Sequence, residues 1–93
     1  MLMVTGKFAI HPDDRDEFLE FVRTLVPVER TVAGILSFDI YEDVVTANTF
    51  LVLEQWEDEA ALDAYTETDA YAEHDDTLSS FVLGEALWEE YEF

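Results

Sequence analysis

Along LMVTGKFAI, residues 2–10, apolar and polar positions alternate so that Leu2, Val4, Phe8 and Ile10 share one face, which predicts a strand. From His11 the period lengthens. Pro12 stands at a first-turn position, and Asp13, Asp14, Asp16 and Glu17 fall where the positive end of a helix dipole favours carboxylates. Phe18, Phe21, Val22 and Leu25 then recur at helical spacing and form one apolar stripe. This helix is expected to end or kink at Pro27, and Gly34 interrupts the chain before the next apolar run. Residues 35–42 (ILSFDIYE) and 49–56 (TFLVLEQW) read as two strands joined by DVVTAN, a loop of hairpin length. A second acid-led helix starts in EDEAALDAY, breaks near Thr68 and resumes through DAYAEHDDTLSSF. Gly84 then precedes a last strand, EALWEEYEF. The order β-α-β-β-α-β is the signature of a ferredoxin-like α+β sandwich with an antiparallel sheet. With no linker or low-complexity tract, residues 1–93 are expected to form a single domain.

The strands carry a second message. A sheet covered by helices on one side only should alternate apolar-in with polar-out. Here the third strand places Phe50, Val52 and Trp56 on one face and Leu51 and Leu53 on the other, and the first sets Met3 and Ala9 against Leu2, Val4, Phe8 and Ile10. Two helices cover one face. The other would expose more apolar area than a monomer tolerates, so a second copy is expected to pack on it, giving a homodimer joined through its sheet faces. Space left between sheet and helices, lined by aromatic side chains, is the expected ligand pocket.

Composition narrows the partners. Hydrophobic residues make up 49% of the 93-residue chain, too much for a disordered one, although the net charge is -19. Four Lys and Arg stand against 23 Asp and Glu spread along the whole length, an arrangement that reads as a solvated acidic coat suited to a salty cytoplasm. Lys7, Arg15, Arg23 and Arg30 are scattered, which argues against nucleic acid. Cysteine is absent, removing disulfides, thiolate nucleophiles and cysteine metal sites. No apolar run approaches membrane-spanning length and MLMVTGKF lacks the features of a signal peptide, so a cytoplasmic location is expected. Only two histidines, His11 and His74, and three glycines occur, with no metal-ligand spacing, phosphate loop or dinucleotide fingerprint. No cofactor is expected.

The run GILSFDIYED, the strand NTFLVLEQW and the helix start EDEAALDAY together resemble the antibiotic biosynthesis monooxygenase (ABM) domain, a family of dimeric α+β barrels. Gly34, Phe50, Val52, Glu54, Trp56, Glu59, Ala60 and Leu62 fall on positions of the family pattern, and the resemblance extends over the whole chain. It implies a cofactor-independent monooxygenase acting on a small electron-rich aromatic or quinol-type substrate. The acidic coat adds the expectation of a halophilic archaeal source. Family members often carry a His nine residues after the Trp and another five further on; Tyr65 and Ala70 stand there in this chain, and His74 lies one helical turn beyond Ala70. The related haem-degrading enzymes use an Asn on the first strand, where this chain has Gly6, and a helical His one residue out of step with His74.

The candidate catalytic residues are therefore Trp56, Tyr65 and His74, with Phe50, Val52, Glu54 and Tyr71 as substrate-binding candidates and no metal ligands. Trp56 is as well explained by core packing with its N–H satisfied as by a pocket role, and residues such as Tyr65 and Tyr71 are more often core-edge residues than catalysts. Glu54 shares a face with Phe50 and Val52, so burial would raise its pKa and fit it for proton transfer. The competing expectation is a structural Glu held by Arg23 or Arg30. The other functional class open to this sequence is a non-catalytic dimeric module that binds a small hydrophobic ligand or acts as a scaffold.

Overall fold

In the computed structural model, which describes residues 1–93, the chain runs through β1 (Leu2–Ile10), a 3-10 turn (Pro12–Asp14), α1 (Arg15–Glu29), β2 (Ile35–Glu42), β3 (Thr49–Trp56), α2 (Glu59–Thr66), α3 (Asp69–Phe81) and β4 (Val82–Glu92). The strands form one antiparallel sheet in the order β2-β3-β1-β4. The helices cover one face, so the fold is the ferredoxin-like α+β sandwich expected from the patterns. Both interior strands keep their predicted alternation. Leu2, Val4, Phe8 and Ile10 on β1 and Phe50, Val52 and Trp56 on β3 are buried beneath the helices.

The 3-10 turn, α2 and α3 each start at a side-chain cap, whereas α1 continues directly from the 3-10 turn without one. His11 Nδ1 accepts from the Asp13 amide at 3.1 Å, and Asp58 Oδ1 accepts from Ala61 N at 2.9 Å. The break near Thr68 is a cap of the same kind. Its hydroxyl donates to the Tyr65 carbonyl at 2.7 Å and accepts from Tyr71 N at 3.2 Å, closing α2 and opening α3 in one turn. Arg15, at the start of α1, donates to Glu42 Oε1 at 2.7 Å and to Asn48 Oδ1 at 2.9 Å, tying the helix to both ends of the β2-β3 loop.

Two expectations are corrected. Pro27 does not end α1, which continues to Glu29. Proline removes only its own N–H, and near the helix end the next bonds re-form downstream, Arg30 N reaching Val26 O at 3.1 Å. The last strand begins at Val82, ahead of Gly84, instead of after it. Gly84, at φ +75°, sits in a bulge where β4 spends the span from Leu83 to Leu87 opposite Ala9 to Lys7. The two extra residues preserve the inward-outward alternation but set Trp88 opposite Gly6. A methyl group on Gly6 would lie 2.4 Å from the Trp88 ring, so the glycine makes room for that indole to lie flat across β1.

Under α1 lies a core of nine buried residues around Phe8, Phe18 and Phe50. Under α2 lies a second cluster built from Leu2, Val4, Trp56, Leu62 and Tyr65. The opposite face of the sheet carries exposed apolar side chains among polar ones such as Lys7 and Glu89. Leu87 and Tyr91 of β4 are 59% and 43% exposed there, in register with Lys7 and Met3. No helix is long and apolar enough to cross a membrane.

Candidate active site

Between the helix layer and the sheet lies a half-open cavity of about 480 Å³, within the size range of small-ligand sites. Every secondary element other than the 3-10 turn contributes to its wall. Helical spacing explains who faces inward. Tyr71, His74 and Leu78 lie one turn apart on α3, and Leu62 and Tyr65 do so on α2. His74 thus enters the site from α3, one helical turn beyond Ala70.

The centre of the site is a group that motif and composition did not single out. Glu29, the last residue of α1, is only 4% exposed. Its Oε1 accepts from the Tyr65 hydroxyl and lies 2.6 Å from His74 Nδ1. Tyr65 Oη and His74 Nδ1 are themselves 3.3 Å apart, so side chains 36 and 45 residues along the chain from Glu29 converge on its one oxygen. In the neutral tautomer that donates Nδ1–H to the Glu29 carboxylate, His74 has Nε2 as an acceptor, the arrangement a general base requires. A signal for Glu29 was present in the sequence. It continues the stripe of Phe18, Val22 and Leu25, so the helix buries it, and it stands at the negative end of the helix dipole, where an acid is disfavoured. An acid that breaks both rules is expected at a functional site.

Residues 1–76 match the family model described as antibiotic biosynthesis monooxygenase. The chain belongs to that family. It is 37% identical over 68 residues, 73% of its length and 72% of the relative's, to YcnE of Bacillus subtilis (strain 168), which is provisionally named a monooxygenase. Among solved structures, a conserved protein of Methanosarcina mazei Go1 superposes with a TM-score of 0.89 at 23% identity, over 97% of this chain and 89% of that one. A variant of SnoaB, a cofactor-independent oxygenase of Streptomyces nogalater, superposes at 0.86 with 12% identity, over 99% and 91%. At these identities the last two matches establish the shared fold.

Within this ABM domain the expected site residues separate into layers. Tyr65, His74, Val52, Glu54 and Tyr71 line the cavity; Phe50 and Trp56 do not. Phe50 is taken up by the core beside Phe8 and Phe18. Trp56 is fully buried behind the wall, stacked on Tyr65 with ring centroids 5.6 Å apart, and its indole N–H donates to Glu54 Oε1 at 2.9 Å. That N–H is therefore committed to Glu54 and does not face a ligand. Tyr65 meets Tyr71 edge to face at 5.5 Å, continuing the aromatic wall.

Glu54 has no arginine partner. Arg30 instead donates to the Phe38 carbonyl at 3.0 Å and to Asp39 at 2.8 Å, on the neighbouring strand. Desolvation accordingly raises Glu54 to about 7, against the lowering effect of the Trp56 hydrogen bond and with further help from Glu29 and Glu90. Burial, then the contact with Glu29, push the Tyr65 hydroxyl well above its usual range, so it remains a proton donor. The Tyr71 hydroxyl is raised for similar reasons, by burial and by Asp75.

A stability prediction follows for Glu54. Its folded pKa of about 7 lies above the ordinary 4.5, so between those values the folded chain holds a proton that the unfolded chain has lost. Stability attributable to this group is therefore full below the lower value and falls as pH rises through the window. Glu54→Gln is expected to remove that fall and to stabilise the protein by on the order of 2 kcal/mol near pH 8, with little effect near pH 4. Urea unfolding of both proteins at the two pH values measures it; equal differences at both would show that Glu54 titrates normally.

Proposed function

We propose that this protein is a cofactor-independent monooxygenase acting on a small electron-rich aromatic, of which a quinol is the simplest form. The observation that carries this reading is the convergence of Glu29, Tyr65 and His74 on the wall of an aromatic cavity. An ionised phenolic ring can pass an electron to O₂ itself, so the protein need only bind it, take its proton and shield it from water. His74 Nε2 takes the phenolic proton, with Glu29 fixing the imidazole. Tyr65 and Tyr71 hold the ring, and Trp56 acts behind them by positioning Tyr65 and Glu54. One oxygen atom enters the ring and the other leaves as water. A quinol thus becomes a hydroxyquinone, and the substrate supplies all four electrons that reduce O₂.

Oxygen uptake and product mass, measured with simple quinols under ¹⁸O₂, test the assignment. One labelled oxygen in the product supports it, and no uptake with any quinol leaves a ligand-binding module of the same fold. Trp56→Phe keeps the stacked ring but removes the N–H bonded to Glu54. It is expected to retain the fold while changing the rate.

The working unit is proposed to be a homodimer of one-domain subunits, residues 1–93, in which the apolar sheet face around Leu87 and Tyr91 packs against its copy in a salty cytoplasm of halophilic type. Supporting this are that exposed face and the net charge of -19, which repels itself unless screened. Melting temperature and dimer fraction are both expected to rise as salt increases from about 10 mM to 1 M, where the Debye length shrinks from about 30 Å to 3 Å. Each kcal/mol of repulsion removed corresponds to about 4–8 °C. Thermal melts with light scattering across that range check it, and a flat profile would contradict the assignment.

A further inference from the structure

The charges around the cavity are one-sided. Glu29, Glu54, Asp75 and Glu90 line it, and no Lys or Arg does. The chain has only four basic side chains, and all are placed elsewhere. Arg15 is bonded to Glu42 and Asn48, and Arg30 to Asp39 and the Phe38 carbonyl. Lys7 pairs in register with Leu51 and Leu87 on the sheet's other face, and Arg23 lies on the outer surface of α1 beside Asp16 and Glu20.

The strand register gives this negative field a shape. Glu54 of β3 and Glu90 of β4 both pair with Val4, one from each side, and both point toward the helices. They are two strand spacings apart, about 10 Å, with an apolar floor between them. Tyr65 and Tyr71 stand over the inner end, and Trp88 lies across Gly6 at the outer end. Glu54, drawn out of water with no Lys or Arg beside it, carries an uncompensated desolvation cost that a cation near it and near aromatic faces offsets, and the exposed Glu90 adds its charge from the solvent side. Phenolate formation adds to the same imbalance. Transfer of the phenolic proton to His74 leaves a phenolate among four acids with the His74 imidazolium as the only protein counter-charge lining the cavity.

We propose that the cavity selects aromatic ligands bearing a protonated amine, the ammonium group lying between Glu54 and Glu90 and the ring against Tyr65 and Trp88, and discriminates against those bearing a carboxylate or phosphate. As a statement about substrate this rests on the monooxygenase reading; as a statement about binding it does not. An amine-bearing quinol carries its own counter-charge, so losing the phenolic proton leaves a zwitterion instead of a net anion.

The test uses three probes of one shape: 2-naphthylmethylamine, 2-naphthylmethanol and 2-naphthoate. Their binding to the full chain is measured by calorimetry in about 1 M NaCl, which screens the general attraction of an acidic protein for cations. The amine is expected to bind about tenfold or more tighter than the alcohol, and the naphthoate about tenfold or more weaker. Glu54→Gln and Glu90→Gln are each expected to shrink the ratio of amine to alcohol affinity measured in the same variant, and Glu20→Gln on the outer surface of α1 to leave both affinities unchanged. Equal affinities for the three probes, tightest binding by the naphthoate, no measurable amine binding, or an amine preference surviving in the Glu54→Gln/Glu90→Gln double variant would each overturn the proposal. Oxygen uptake separates its failure from that of the enzyme assignment. Selective amine binding without turnover of any quinol upholds the binding proposal and removes the monooxygenase, whereas equal turnover of neutral, acidic and amine-bearing quinols does the reverse.

Discussion

His74→Ala is expected to lower oxygen consumption with a quinol substrate by about 10²–10⁴-fold, the usual contribution of a positioned general base. The geometry makes the expectation specific. His74 Nδ1 faces Glu29 Oε1 at 2.6 Å, which leaves Nε2 as the only imidazole nitrogen free to take a proton. Since His74 is partly exposed at the edge of the cavity, its removal should cost little stability and the rate loss should appear in molecules that remain folded. Glu29→Gln tests the other half of the pair. An amide can turn its NH₂ toward Nδ1 and so hold the opposite tautomer, placing a proton on Nε2 where a lone pair is needed. A smaller rate loss than in His74→Ala, with a displaced pH profile, is therefore expected for Glu29→Gln. The double variant should be no slower than His74→Ala, because the two side chains act as a unit. Steady-state oxygen uptake as a function of pH on the three variants measures this. A His74→Ala rate within about twofold of the parent would remove His74 from the chemistry.

The features that were legible in the sequence are those set by local periodicity. β2 and β3 occupy the residues read as strands in the sequence, because each is a short apolar run bounded by turn signals, Gly34 before one and the DVVTAN loop between the two. The interruption of the second helix at Thr68 was legible for the same reason, as a local cap. Two features depended on contacts across the fold and were not legible. Trp88 sits at the cavity because a bulge around Gly84 moves it onto Gly6, and neither residue signals that partner in sequence. Glu54 reads as the partner of an arginine, yet Arg30 turns to β2 and Glu54 is left with the Trp56 indole. Glu29 is the intermediate case. Its position on the apolar stripe of α1 is visible in the sequence, but its function is visible only once α2 and α3 deliver Tyr65 and His74 to it.

Phe18→Ala should produce the largest loss of stability of any single truncation, about 3–5 kcal/mol, and should leave the site intact. Phe18 is fully buried and fastens α1 both to the paired strands β1 and β3 and to the end of α3. Its ring meets Phe8 of β1 at 5.8 Å, Phe50 of β3 at 4.7 Å and Phe81 at the end of α3 at 5.5 Å. Truncation removes three aromatic contacts and leaves a void that rigid strands on one side cannot fill. Against a typical total of about 5–15 kcal/mol, such a loss approaches the limit of folding. Phe18 belongs to the core under α1 and does not itself line the cavity; Leu25, Phe38, Val52 and Leu78 of that core form part of the wall, but Tyr65 and Glu54 are held by Trp56 in the cluster under α2. Urea unfolding should therefore show a much lower midpoint for Phe18→Ala, while ligand affinity per folded molecule in stabilising salt stays at the parent value. Trp56→Ala should instead lose both together, since the same indole fills the second cluster, stacks on Tyr65 and donates to Glu54. Equal loss of ligand affinity in the two variants would show that the cores under α1 and α2 are one cooperative unit, and that the cavity has no support independent of the phenylalanine cluster.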